Sequence, residues 1–108
     1  MQSYPPGCCY PGVGANSPVV GDFWFATYCP SGADYVEDEV NLYMLDPFTG
    51  DWSFVDSASS GCAAGCTWDI ALGHDTLISE IEYEAVGYNY VPDATPETAT
   101  ATYEWVAQ

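Results

Sequence analysis

Glu39-Val40-Asn41-Leu42-Tyr43-Met44-Leu45-Asp46-Pro47-Phe48-Thr49-Gly50-Asp51-Trp52-Ser53-Phe54-Val55-Asp56 is the stretch that decides the fold. Val40, Leu42 and Met44 alternate with Asn41, Tyr43 and Leu45, which is the two-residue period of a strand. Pro47 presets the φ that a turn needs, and Gly50 can take a positive φ that closes it. Trp52, Ser53, Phe54 and Val55 then resume a β-type run, so the stretch reads as an antiparallel hairpin. In that register Trp52 and Phe54 can pack across from Val40, Leu42 and Met44. A lone hairpin is marginal in water, so further strands must cover it.

The rest of the chain supplies them. Phe23 to Tyr28 is a dense aromatic run with apolar side chains on both faces. Thr67 to Leu72 alternates, with Trp68, Ile70 and Leu72 pointing one way and Thr67, Asp69 and Ala71 the other. In Thr76 to Val86, Leu77, Ile81, Tyr83 and Ala85 face inward, while Glu80, Glu82 and Glu84 share the outer face. Thr98 to Ala107 closes the set, with Ala99, Ala101, Tyr103 and Trp105 inward and threonines outward. Cys29 to Asp34, Ser57 to Gly65 and Gly73 to Asp75 read as turns or loops. The expected fold is all-β: a small antiparallel β-sandwich of six or seven strands, immunoglobulin-like in strand count, with a small barrel as the alternative.

The 108 residues form one domain, 19–108, preceded by an extended arm, 1–18, rich in proline and glycine. Tyr4, Tyr10, Cys8 and Cys9 are the arm's anchoring side chains, placed to lie against a neighbouring subunit. The first residues carry neither a basic n-region nor an apolar h-region, so the expectation is synthesis without a secretory signal. No run reaches the length of a membrane helix.

Charge is the unusual property. Sixteen Asp and Glu stand against no Lys or Arg, a formal net charge of -16. His74 is the one side chain that can carry positive charge. Such a surface repels phosphate, which argues against nucleic acid and anionic membrane as partners. The carboxylates must stay hydrated, hold cations or face a basic partner chain. Trypsin-like proteases find no cleavage site. Asp34, Glu37, Asp38 and Glu39 place four hard oxygen donors within six residues, the raw material of a calcium site, although the EF-hand pattern is missing.

Five cysteines, Cys8, Cys9, Cys29, Cys62 and Cys66, point to disulfides, and the odd count leaves one thiol free or bonded between chains. Cys62-Ala-Ala-Gly-Cys66 can close a small ring. His74 beside Asp75 and near Asp69 is half of a catalytic arrangement, with Cys66 the conceivable nucleophile, but no motif surrounds it. A loop histidine bonded locally is the reading we adopt.

The arm, the odd cysteine, the missing protease sites and the single-signed charge together describe an assembly component. In overall character the chain resembles the small accessory proteins that decorate or cement tailed-phage heads. The resemblance implies a non-enzymatic structural protein on a virion surface, bound to copies of itself or to a basic lattice protein. Cys8, Cys9 and Cys29 would then form links, Tyr4 and Tyr10 would pack on a neighbour, and Glu80, Glu82 and Glu84 would meet basic lattice residues. The competing expectations are a subunit of an extracellular filament and a calcium-dependent adhesion or carbohydrate-binding module.

Overall fold

The computed structural model describes residues 9–16, 20–92, 94 and 97–107. They form five antiparallel strands in one sheet: β1 (Tyr10–Asn16), β2 (Val20–Leu45), β3 (Trp52–Thr76), β4 (Glu82–Tyr90) and β5 (Thr98–Val106). The protein is all-β, as the alternation requires, and no helix occurs among the described residues.

The expected hairpin is present and much longer than its sequence signal. Leu45 pairs with Trp52 across the turn, and the ladder continues to Val20 and Thr76. Asp46 builds the turn. Its Oδ1 accepts from the Phe48 and Thr49 backbone N–H groups, and its carbonyl accepts from Gly50 N at 2.9 Å. Gly50 takes φ 76°, the left-handed conformation that glycine adopts without strain.

Five strands replace the expected six or seven because the segments at 29–34, 57–65 and 73–75 are continuous strand rather than loops. A 26-residue strand would run about 86 Å at its usual rise. The longest dimension of the molecule is 47 Å, so the β2–β3 ribbon must bend. The register shifts between Tyr28 and Ala33 and again between Ala33 and Tyr35. Pro30 cannot donate to the ladder, and Gly32 and Gly65 lie at positive φ on the two strands. Bulges absorb the turn residues without ending the strand.

The bend folds each long strand back over itself. Phe23 and Phe25, from the first half of β2, share a buried core with Val40 and Leu42 from the second half and with Tyr83 and Ala85 of β4. Gly87 of β4 pairs with Val40, and a Cβ there would overlap the Phe25 ring. The first half of β2 therefore lies directly above the β2–β4 layer. β1 pairs with residues 22–28 of β2, and β4 pairs with residues 37–44, both on the same edge. β1 also approaches β4 and β5, so the sheet curls into a half-barrel. β3 pairs with β2 alone among the described residues, which leaves its outer edge open along 25 residues.

A second apolar cluster fills the bend: Cys29, Val36, Cys66, Val91 and Ala94, with Cys9, Ala33 and Cys62 against it. Both disulfides lie here. Cys9–Cys29 ties the start of β1 to the bend, and Cys62–Cys66 closes the expected small ring.

One orientation differs from the sequence reading, and a second is decided only by the fold. Trp52 and Phe54 do not pack on the Val40 face. Trp52 pairs with Leu45 and Phe54 with Tyr43, the face opposite Val40, Leu42 and Met44, and there Phe54 meets Tyr43 edge to face at 6.0 Å. In β3, Asp69 and Ala71 point inward, while Trp68 and Leu72 are outside and Ile70 is half-buried. β3 lies under its own other half, so its inner row must be small: Ala58, Ser60, Ala71 and Gly73 fit there and a tryptophan does not.

Candidate functional site

The outward side chains of β1, β2 and the second half of β3 form an uncharged face. Strand pairing sets them in three rows: Tyr10, Tyr28 and Trp68; Gly12, Ala26 and Ile70; Gly14, Trp24 and Leu72. Trp68 and Leu72 are 57% and 56% exposed, and Tyr28 is 46% exposed. Trp24 lies flat because Gly14 leaves room: a Cβ there would sit 2.7 Å from the indole. The next row holds Asp22 and His74, and His74 Nδ1 bonds the Asp22 carboxylate. His74 is thus on a strand facing Asp22, not in a loop with Asp75. Cys66, its conceivable nucleophilic partner, is locked in a disulfide.

The acid lies elsewhere. Glu37 and Glu39 of β2, Glu82 and Glu84 of β4 and Glu104 of β5 project from the outer face of the other layer. Glu84 sits directly opposite Glu104. Burial, then the hydrogen bond to Glu104, holds the Glu84 carboxyl above the usual range. Glu80 does not join this row. It occupies a left-handed turn at φ 70° before β4, with its N–H donating to the Ala107 carbonyl at 2.7 Å.

Strand alternation also divides the four candidate calcium ligands. Glu37 and Glu39 face outward, Asp34 is exposed at the bend, and Asp38 is fully buried. Among the described residues no three His, Cys, Asp or Glu side chains gather around one point. Tyr4 and Cys8 lie outside the described residues, as does most of the expected arm; residues 10–16 of that arm are strand β1, hydrogen-bonded into the sheet. Cys9, expected to link subunits or segments, is bonded within the chain to Cys29.

A second site lies inside, of which the sequence points only to Asp38, as a calcium donor, and to Asp69, as a neighbour of His74. Thr27 and Asp69 are paired neighbours in one layer; Asn89, Asp38 and Ser60 are paired neighbours in the other. Every hydrogen bond between them crosses the layers. Thr27 Oγ1 donates to Asp38 Oδ1, Asn89 Nδ2 donates to Thr27 Oγ1 at 2.9 Å, and Ser60 Oγ donates to Asp69 Oδ1 at 2.8 Å. The Oδ2 atoms of Asp38 and Asp69 are buried and meet no N–H or hydroxyl donor among the described residues. Burial, then the hydrogen bond with Asp69, raises the Asp38 carboxyl to about 8, although the Thr27 hydroxyl pulls the other way. A related contact lies further along β3, where burial and Asp56 raise Asp75 to about 6.

No family model matches the sequence, and neither the curated proteins nor the solved structures provide a significant match.

Proposed function

We propose that the chain is a non-enzymatic structural assembly protein, a surface decoration or cement component of a particle such as a virion. The observation that carries this reading is the uncharged aromatic face on a chain with a net charge of -16. Apolar patches of this kind on a soluble protein mark a surface that another molecule covers. Two copies of so acidic a chain repel wherever carboxylates meet carboxylates. The Tyr10, Trp24, Tyr28, Trp68 and Leu72 face is where they can approach, so its partner is a second copy. The curled sheet then works as a two-layered, sandwich-like body: one outer face joins copies, and the other, with Glu82 and Glu84, turns toward basic residues of a lattice. Four of the five cysteines are paired within the chain, which leaves Cys8 for a covalent link between subunits.

Sedimentation velocity at physiological salt tests the reading. The wild-type chain is expected to self-associate, and Trp68→Glu with Leu72→Glu, both exposed, to give a folded monomer. A wild-type chain that stays monomeric at high concentration overturns it. The Tyr10–Tyr28–Trp68 row also favours a second reading, a carbohydrate-binding or adhesion module, because flat aromatic rings suit the apolar faces of sugar rings. Retention on an insoluble polysaccharide, lost in Trp68→Ala, would decide for that reading. An extracellular filament is the third, and the symmetry of the native particle in electron micrographs separates it from a decorated shell.

A further inference from the structure

We propose that the two halves of the folded ribbon are latched by one proton shared between the carboxyl groups of Asp38 and Asp69, and that losing this proton loosens the fold at the bend. This inference is independent of what covers the aromatic face.

The argument starts from the geometry. Asp38 comes from the second half of β2, and Asp69 is paired with Thr27 in the first half, so a bond between them joins the layers. Each carboxyl has one oxygen engaged: Oδ1 of Asp38 with Thr27 and Oδ1 of Asp69 with Ser60. The remaining oxygens are buried and have no donor among the described residues, and the two crossed bonds set the carboxyls side by side: Thr27, which bonds Asp38, is paired with Asp69, and Ser60, which bonds Asp69, is paired with Asp38. Two carboxylates in that position repel strongly in a low-dielectric interior. A carboxylic acid and a carboxylate instead form a strong, charge-assisted hydrogen bond. The chain contains no Lys or Arg that could stand between them.

The surroundings add no competing charge. β4 contributes Asn89, which is neutral, and Tyr88 and Tyr90 turn outward. On β2 the flanking Glu37 and Glu39 also turn outward, and Thr27 is uncharged. β3 contributes Ser60 and Asp69. The neighbouring Cys9, Cys29, Cys62 and Cys66 are all in disulfides. The next carboxyls on the inner row of β3 are Asp56 and Asp75, which contact each other. Strand alternation has already removed Asp38 from the other three candidate calcium donors, so the shared proton competes with no assembled ligand set among the described residues.

The sign follows from linkage. Asp38 binds its proton more tightly folded than unfolded, so its contribution is complete at pH values below the ordinary carboxylate range. It is lost as pH rises through about 8.

The test is equilibrium unfolding of the full chain, oxidised and in chelator, from pH 4 to pH 9. Wild type is compared with Asp38→Asn, whose amide supplies permanently the donor that the acid supplies only when protonated. Asp69→Asn is the second variant, in case the first does not fold. Between the ordinary carboxylate range and about pH 8 the wild-type unfolding constant should rise with pH more steeply than the variant's by about tenfold per pH unit, the signature of one linked proton, and the two should run parallel above it. Above pH 8 the variant should be the more stable protein. Equal slopes in wild type and a folded variant overturn the proposal. So does a wild-type chain whose stability at pH 5 vanishes in chelator and returns with calcium, since a cation then occupies the gap.

Discussion

Gly87 is a point at which the fold has no room for added mass. Its backbone is held between Val40 on one side and Ala101 on the other, and the Phe25 ring lies on its α-carbon. Gly87→Ala should destabilise by about 1–3 kcal/mol, as overpacked cores do. Denaturant unfolding measures the loss, and Phe25→Leu in the same chain should restore part of it by making room. Thr27 is the matching polar residue. Thr27→Val keeps the shape but strands Asp38 Oδ1 and the Asn89 N–H, at a cost of about 1–3 kcal/mol that Thr27→Ser should largely avoid. Part of this was readable in advance. Val36, Asp38, Val40 and Leu42 lie two apart, so a strand that buries three of them buries the fourth. Reading Asp38 with Glu37 and Glu39 groups it by adjacency, whereas a strand groups it by face. Asp69 was hidden for a different reason. Its neighbours Trp68, Ile70 and Leu72 are the more apolar set, and hydrophobicity selects them for the interior. In this layer the more apolar face is the outer one, and only the fold-back of β3 on its own small residues explains why.

At the scale of elements, the β2–β3 hairpin was legible because Asp46, Pro47 and Gly50 each perform a recognisable turn task. The bend was not. Cys29-Pro30-Ser31-Gly32 has turn composition, but bulges carry the chain through it while the ladder resumes beyond, so composition divides one strand into two. Composition reports that the backbone deviates and is silent on whether pairing continues afterwards. The disulfides give the bend its mechanical role. Cys9–Cys29 closes a separation of 20 residues, and Cys62–Cys66 one of 4. Chain-entropy scaling assigns about 3 kcal/mol to the longer loop and about 2 kcal/mol to the shorter. The double variant Cys9→Ala/Cys29→Ala should therefore lose more stability than Cys62→Ala/Cys66→Ala in chemical denaturation. The reverse order would mean that the ring in β3, rather than the tie to β1, sets the fold-back.

For the whole molecule, the sequence states the charge problem and the structure shows how the chain lives with it. With no Lys or Arg available, acids sit beside one another: Asp38 with Asp69, Asp56 with Asp75 and Glu84 with Glu104. In each of these pairs a carboxyl is raised above its usual range, so each adds stability at acid pH and loses it as pH rises. The remaining carboxylates are spread over the surface and act through solvent. Their mutual repulsion is a matter of range. The Debye length is about 30 Å at 0.01 M salt and about 8 Å at 0.15 M. The two shorter dimensions of the molecule are 26 and 22 Å. In dilute buffer every exposed carboxylate therefore feels nearly every other, whereas at 0.15 M it feels its neighbours only. Raising sodium chloride across that interval at pH 7 should increase the melting temperature by about 4 °C or more, equivalent to ~1 kcal/mol in a domain of this size. At pH 4 the net negative charge of so acidic a chain is smaller, and the same salt step should have a much smaller effect. A gain of equal size at both pH values would assign it to general salt effects on apolar burial. A gain confined to pH 7 identifies self-repulsion as the force that neighbouring cations or a basic partner relieve.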